Sequence, residues 1–196
     1  MDIKKLIENS IESIVKNVKV FISEKDFQEN LKKEISKTLS DEAIVEEYAD
    51  NTNRIDIVLK SDNSIYPIEL KYSFYENGQY KYGTNTEKIP YLFVADIAKL
   101  EDFIAKTNNA DKGYCILLTN DKDIVSDNWK SDESVDKEFN ISQKREKSLG
   151  KTLTSQSADP QKPPITLKGN YFPQDNWKQS DKFNYLIIEI SKGDIA

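Results

Sequence analysis

Arg54-Ile55-Asp56-Ile57-Val58-Leu59 and Tyr66-Pro67-Ile68-Glu69-Leu70-Lys71 decide how this chain is read. The two apolar-rich runs flank Ser61-Asp62-Asn63-Ser64, a cluster of turn-forming residues, so together they predict a β-hairpin. Side chains alternate across a strand: Ile55, Ile57 and Leu59 share one face, and Asp56 and Val58 take the other. By the same count Ile68, Leu70 and Tyr72 point one way while Glu69 and Lys71 point the other. If both apolar rows bury into one core, Asp56, Glu69 and Lys71 converge on the opposite side. Two carboxylates beside one ammonium on rigid strands suit a hard divalent cation with a cationic group next to it. The competing reading is an exposed hairpin face with solvated charges.

Upstream, Ile3, Ile7, Ile11, Ile14 and Val18 recur at helical spacing and predict a helix over 3–22. Ser23-Glu24-Lys25-Asp26 resembles a capping box and starts a second helix with Phe27, Leu31 and Ile35 on its inner face. Glu24 and Gln28 lie beside that face. A glutamate in the first helical turn is equally what the helix dipole favours, so Glu24 has a structural reading of the same weight. Residues 43–48 read as a strand on which Glu47 shares a face with Val45, and Asp50-Asn51-Thr52-Asn53 turns into the Asp56 strand.

Downstream, residues 72–88 are polar and aperiodic, with Tyr72, Phe74, Tyr75, Tyr80 and Tyr82. They read as a loop that either stacks on bases or simply covers the surface. Pro90 precedes a helix over 91–106 with Phe93, Ile97, Leu100 and Ile104 on one face. The continuous apolar run 113–119 suits a buried central strand, and Cys115 within it reads as a core thiol. Asn120-Asp121 reads first as a turn. Residues 122–182 form an irregular insertion with strand-like pieces at 139–141 and 165–168 and a proline-rich loop at 155–164. The insertion is locally basic, with eight Lys/Arg against four Asp/Glu in 141–182. Lys144, Arg145, Lys147 and Lys151 with Tyr171, Phe172 and Trp177 suit a nucleic-acid path, although solvated lysines and core aromatics explain each member singly. A last strand spans 185–190.

Composition narrows the chemistry. The 196 residues suit one domain, and a formal charge of −6 with pI about 4.9 opposes indiscriminate binding to nucleic acid. A single cysteine excludes an internal disulfide framework and fits a reducing cytoplasm. The start, Met1-Asp2-Ile3-Lys4-Lys5, runs into an amphipathic pattern, not a leader, and no apolar stretch is long enough to span a bilayer. With no histidine in the chain, a Ser-His-Asp triad, a Cys-His pair and a His-ligated zinc are all excluded.

An Asp on one strand followed by Glu-x-Lys on the next resembles the PD-(D/E)XK nuclease superfamily, although Ile55 stands where a proline would precede Asp56. The runs Asp96-Ile97-Ala98-Lys99-Leu100-Glu101 and Leu118-Thr119-Asn120-Asp121, with Trp129 and Phe183-Asn184-Tyr185-Leu186, are similar to uncharacterised bacterial members. The resemblance implies an α/β, restriction-endonuclease-like αβββαβ core with a mixed sheet flanked by helices, one domain over 1–196. It implies hydrolysis of phosphodiester bonds with Mg²⁺ or Mn²⁺, DNA being the expected substrate and restriction or phage defence the expected setting. Asp56 and Glu69 would then hold the metal, with the Leu70 carbonyl assisting. Lys71 would orient or help deprotonate the attacking water, and Glu24 is the candidate for the additional acid of the first core helix. A homodimer or a defence-system partner is compatible with this. The alternative is a catalytically idle nuclease-fold module that binds DNA or a protein, and a third reading is a purely structural or immunity-type protein.

Overall fold

Strand β3 (Ser64–Glu76) is the axis of the protein, and its thirteen residues meet three other strands. The computed structural model describes residues 1–18, 20–49, 54–83, 88–126, 137–154 and 162–195, excepting the side chains of 42, 45–49 and 137. β2 (Arg54–Ser61) folds back on β3 through a turn in which Asp62 takes a left-handed φ of 54°, and the register runs from Ser61↔Ser64 to Ile57↔Ile68. β1 (Ile44–Ala49) flanks β2. On the opposite edge β5 (Lys112–Thr119) runs parallel to β3, from Ile68↔Tyr114 to Ser73↔Thr119. Parallel neighbours need a crossover, and helix α3 (Ile89–Lys106) lies between them in the chain. β9 (Phe183–Ser191) and β8 (Trp177–Ser180) extend the sheet antiparallel, giving the order β1-β2-β3-β5-β9-β8.

The protein is therefore α/β, with a mixed central sheet flanked by helices. One face carries α1 (Ile3–Asn17) and α2 (Glu24–Ile35), whose Ile7, Ile11, Phe27 and Leu31 bury with Ile57, Ile68, Leu70, Tyr72 and Ile116. The other face carries α3, whose Phe93, Ile97, Leu100 and Ile104 bury with Val58, Cys115, Leu117 and Ile188. Each such side chain contributes about 1.5–3 kcal/mol when fully removed from water. A two-stranded sheet, β6 (Leu149–Leu153) and β7 (Ile165–Tyr171), lies against α3. There Glu101, itself buried, accepts from the Lys168 and Gly169 amides and the Tyr171 hydroxyl. No helix among the described residues is long and apolar enough to cross a membrane.

Several expectations change. Both faces of the hairpin are covered, so the charged row is not an open face opposite a single core; Glu69 is buried beneath α3. Ile55 belongs to the α3-side cluster, apart from Ile57, and this coincides with the point where β2 leaves β3. The first helix stops at Asn17, because Val18 turns extended and carries the chain to Phe21, which buries against Phe27 and Tyr72 at ring distances of 5.4 and 5.5 Å. The expected loop over 72–88 is partly strand: β3 continues to Glu76 and turns at Asn77-Gly78, both at positive φ, into β4 (Gln79–Gly83). An Asn-Gly pair between alternating residues is a strong hairpin signal, and it overrides the polar composition. Within the insertion, 139–141 is not a strand, since Phe139 ends a 3-10 turn (Lys137–Phe139) and 140–141 are irregular; the 165–168 piece lies inside β7, and β8 joins the main sheet. The turn at 50–53, Trp129 and residues 155–161 lie outside the described residues.

Candidate active site

The site begins with a gap in a strand edge. β5 occupies one edge of β3 through Ser73, so β2 and β4 share the other edge: β2 as far as Ile68, β4 from Ser73 onward. Among the described residues no strand pairs with 69–72 on that edge, and two amides there need partners. Carboxylates supply them. Leu70 N donates to Asp56 Oδ2 at 2.8 Å, and Tyr72 N donates to Glu24 Oε2 at 3.1 Å. Gln28 Nε2 in turn donates to the Asp56 carbonyl at 2.5 Å, tying α2 to the end of β2 that β3 has released.

Local structure places Glu24 over this gap. Ser23 caps α2 by accepting from Asp26 N at 3.0 Å, and Asp26 reaches back to accept from Ile22 N at 2.9 Å. Buried Phe27 and Leu31 then press the helix onto the sheet. From the opposite layer, α3 contributes Asp96 and Lys99, three residues apart and therefore on one helical face. The Lys71 ammonium lies 2.6 Å from Asp96 Oδ2 and 3.8 Å from Glu24 Oε1, and donates to the Leu70 carbonyl at 3.0 Å. The Lys99 ammonium lies 2.8 Å from Glu69 Oε1. Exposure grades across the cluster: the Glu69 side chain is 2% exposed, Lys71 13%, Lys99 28% and Glu24 35%. Access is therefore from the Glu24 and Lys99 side.

Four carboxylates surround two ammonium groups, so the cluster is rich in negative charge. Burial, then the Asp56 and Asp96 charges, push the Glu69 carboxyl up to about 8, against the opposing pull of Lys99. Burial also raises Glu24, partly offset by Lys71 and the Tyr72 amide. For Lys71, burial acts downward, but Asp96 and Glu24 outweigh it and hold the ammonium above its ordinary range.

The chemistry of this donor set fits a hard divalent cation. Glu69 Oε1 and Asp96 Oδ2 are buried carboxylate oxygens that take no hydrogen bond of good direction, although each lies at ion-pair distance from a lysine. Such oxygens suit Mg²⁺ or Mn²⁺. Among the described residues no three acidic, His or Cys side chains are drawn together as a ready metal cage, since Lys71 and Lys99 hold the carboxylates.

The structure brings together Asp56, Glu69, Lys71 and Glu24. The Leu70 carbonyl adjoins them but accepts from Lys71, leaving one lone pair for any further role. The Glu47 side chain lies outside the described residues. Asp96 and Lys99 were missed as site residues; the available signal was a buried-face aspartate between Phe93 and Leu100, where apolar periodicity calls for none. Other candidates prove structural. Asn120 bridges the Tyr75 backbone in both directions at 2.7 Å, and Asp121 accepts from Tyr80 and from Asp123 N. Tyr72 and Phe74 are core residues, and so are Tyr171 and Trp177, whereas Phe172 is 48% exposed. Arg145 donates to the carbonyls of Glu138, Asn140, Lys147 and Ser148, so it organises its own loop. Burial keeps the Cys115 thiol well above its usual range.

No protein-family description, curated protein or solved structure matches this chain.

Proposed function

We propose that this protein is a metal-dependent phosphodiester hydrolase with a restriction-endonuclease-like core, acting on nucleic acid, with DNA as its first expected substrate. The observation that carries the reading is the meeting of Asp56, Glu69 and Lys71 where β2 leaves β3, with Glu24 closing the gap from α2. The order α2-β1-β2-β3-β4-α3-β5, in which β4 is a hairpin extension of β3 and β3 runs parallel to β5, supports the αβββαβ core.

Asp56 and Glu69 would hold Mg²⁺ or Mn²⁺, with Glu24 on the open side. When bound, such an ion lowers the pKa of an attacking water and polarises a phosphoryl oxygen. Lys71, fixed by Asp96 and kept protonated, orients that water and faces the charge that grows on the phosphate. This narrows its role: it donates and does not act as the base. Because Asp56 also caps Leu70 N, the substitution Asp56→Asn keeps an accepting oxygen there and preserves the fold.

Mn²⁺ titration by calorimetry tests the reading. Wild type is expected to bind and Asp56→Asn to lose most of the affinity; equal affinity in both would remove Asp56 from the role given to it. A second reading, an idle module of the same fold that binds DNA or a protein, is favoured by the internal neutralisation of Asp96 and Glu69 by Lys71 and Lys99. It expects no cleavage of any nucleic acid with any divalent ion.

A further inference from the structure

Lys99 stands out among the residues that the hydrolytic scheme leaves unused. Its ammonium sits 2.8 Å from Glu69 Oε1, the oxygen that the proposed cation would need. That oxygen is buried and takes no other directed hydrogen bond, so the lysine is its principal counter-charge. The two partners differ in freedom. Glu69 is locked under α3, whereas the Lys99 side chain is 28% exposed on a four-carbon stem and can turn outward without unfolding anything. Lys71 has no such freedom, since Asp96, Glu24 and the Leu70 carbonyl hold it. A divalent ion and an ammonium cannot occupy one side of one carboxylate oxygen together.

We propose that Lys99 is a placeholder cation: it sits against Glu69 Oε1 until the divalent ion displaces it, and is then released to the exposed rim, where it meets the substrate phosphate. This rests on the cation site assigned above to Asp56 and Glu69. The exchange couples loading of the ion to the appearance of a free ammonium at the mouth, where an anionic strand would arrive.

Two measurements without turnover test it. Reductive methylation of the lysines, read by mass spectrometry with and without Mn²⁺, is expected to show Lys99 labelled faster when Mn²⁺ is present, with no such gain in Asp56→Asn. Calorimetry is expected to show Lys99→Met binding Mn²⁺ about tenfold more tightly than wild type, the gain expected if the pair withholds the site about nine-tenths of the time. Mn²⁺ bound by wild type with no change in Lys99 labelling would overturn the placeholder and leave the cation site standing. No Mn²⁺ binding by either wild type or Lys99→Met would overturn the cation site itself, and the placeholder with it.

Discussion

Lys71 is a structural counter-ion as well as the reagent of the proposed mechanism, and this shapes any experiment on it. Its side chain and that of Asp96 are 13% and 12% exposed and 2.6 Å apart. Removing one member of such a pair strands the other charge, so Lys71→Met alone is expected to cost about 3–5 kcal/mol in chemical denaturation. Adding Asp96→Leu replaces the pair by apolar volume and is expected to recover most of that loss. A single variant as stable as wild type would show that the pair contributes nothing. Glu69 gives a second prediction. Its folded carboxyl titrates near about 8 against an ordinary 4.5, so between those values the native state holds a proton that the unfolded chain has lost. Stability in EDTA is therefore expected to fall as pH rises from about 4.5 to about 8. Glu69→Gln is expected to flatten that fall, and melting curves for both proteins across this range would show an unchanged slope if the assignment is wrong. Period-two alternation was enough to put Glu69 and Lys71 on one face, because register along a strand is local. Asp96 and Lys99 were not legible, because their role depends on how α3 docks on the sheet.

At the scale of elements, one long strand is served on one edge by two short partners, and among the described residues none pairs with 69–72. β2 and β4 divide the edge of β3, and α2 supplies the missing contact through Glu24 and Gln28. Gly83 shows how tight this junction is: a Cβ there would lie 1.9 Å from the Tyr72 carbonyl oxygen, and its φ is +80°. On the far side of α3, Glu101 does for β7 what Glu24 does for β3, satisfying backbone amides from a helix. Glu101→Gln is expected to cost about 1.5–3 kcal/mol, because the amide cannot accept as the carboxylate does. Hydrogen exchange should locate the loss at Lys168 and Gly169; unchanged protection of those two amides would contradict it. The helices were readable because Ile7, Ile11, Phe27 and Leu31 repeat at helical spacing. β4 was missed because its composition is polar, although Asn77-Gly78 announced its turn. β6 and β8 were missed because they are short and are placed by pairing with β7 and β9, which no local pattern encodes.

For the whole molecule, the balance of 28 basic against 34 acidic residues sets the terms on which a polyanion can approach. The cluster of four carboxyl groups and two lysines offers an anionic strand little net positive charge, so under the proposed function a bound divalent ion supplies the attraction. Substrate affinity and catalysis are then expected to share one metal dependence. The measurement that tests the central claim most directly is cleavage of plasmid, single-stranded DNA and RNA with Mg²⁺ or Mn²⁺, by wild type beside the Lys71→Met, Asp96→Leu protein. The account predicts metal-dependent cleavage of at least one substrate by wild type and none by a double variant that remains folded. Wild type that cleaves nothing, or a double variant that cleaves as fast as wild type, would contradict it.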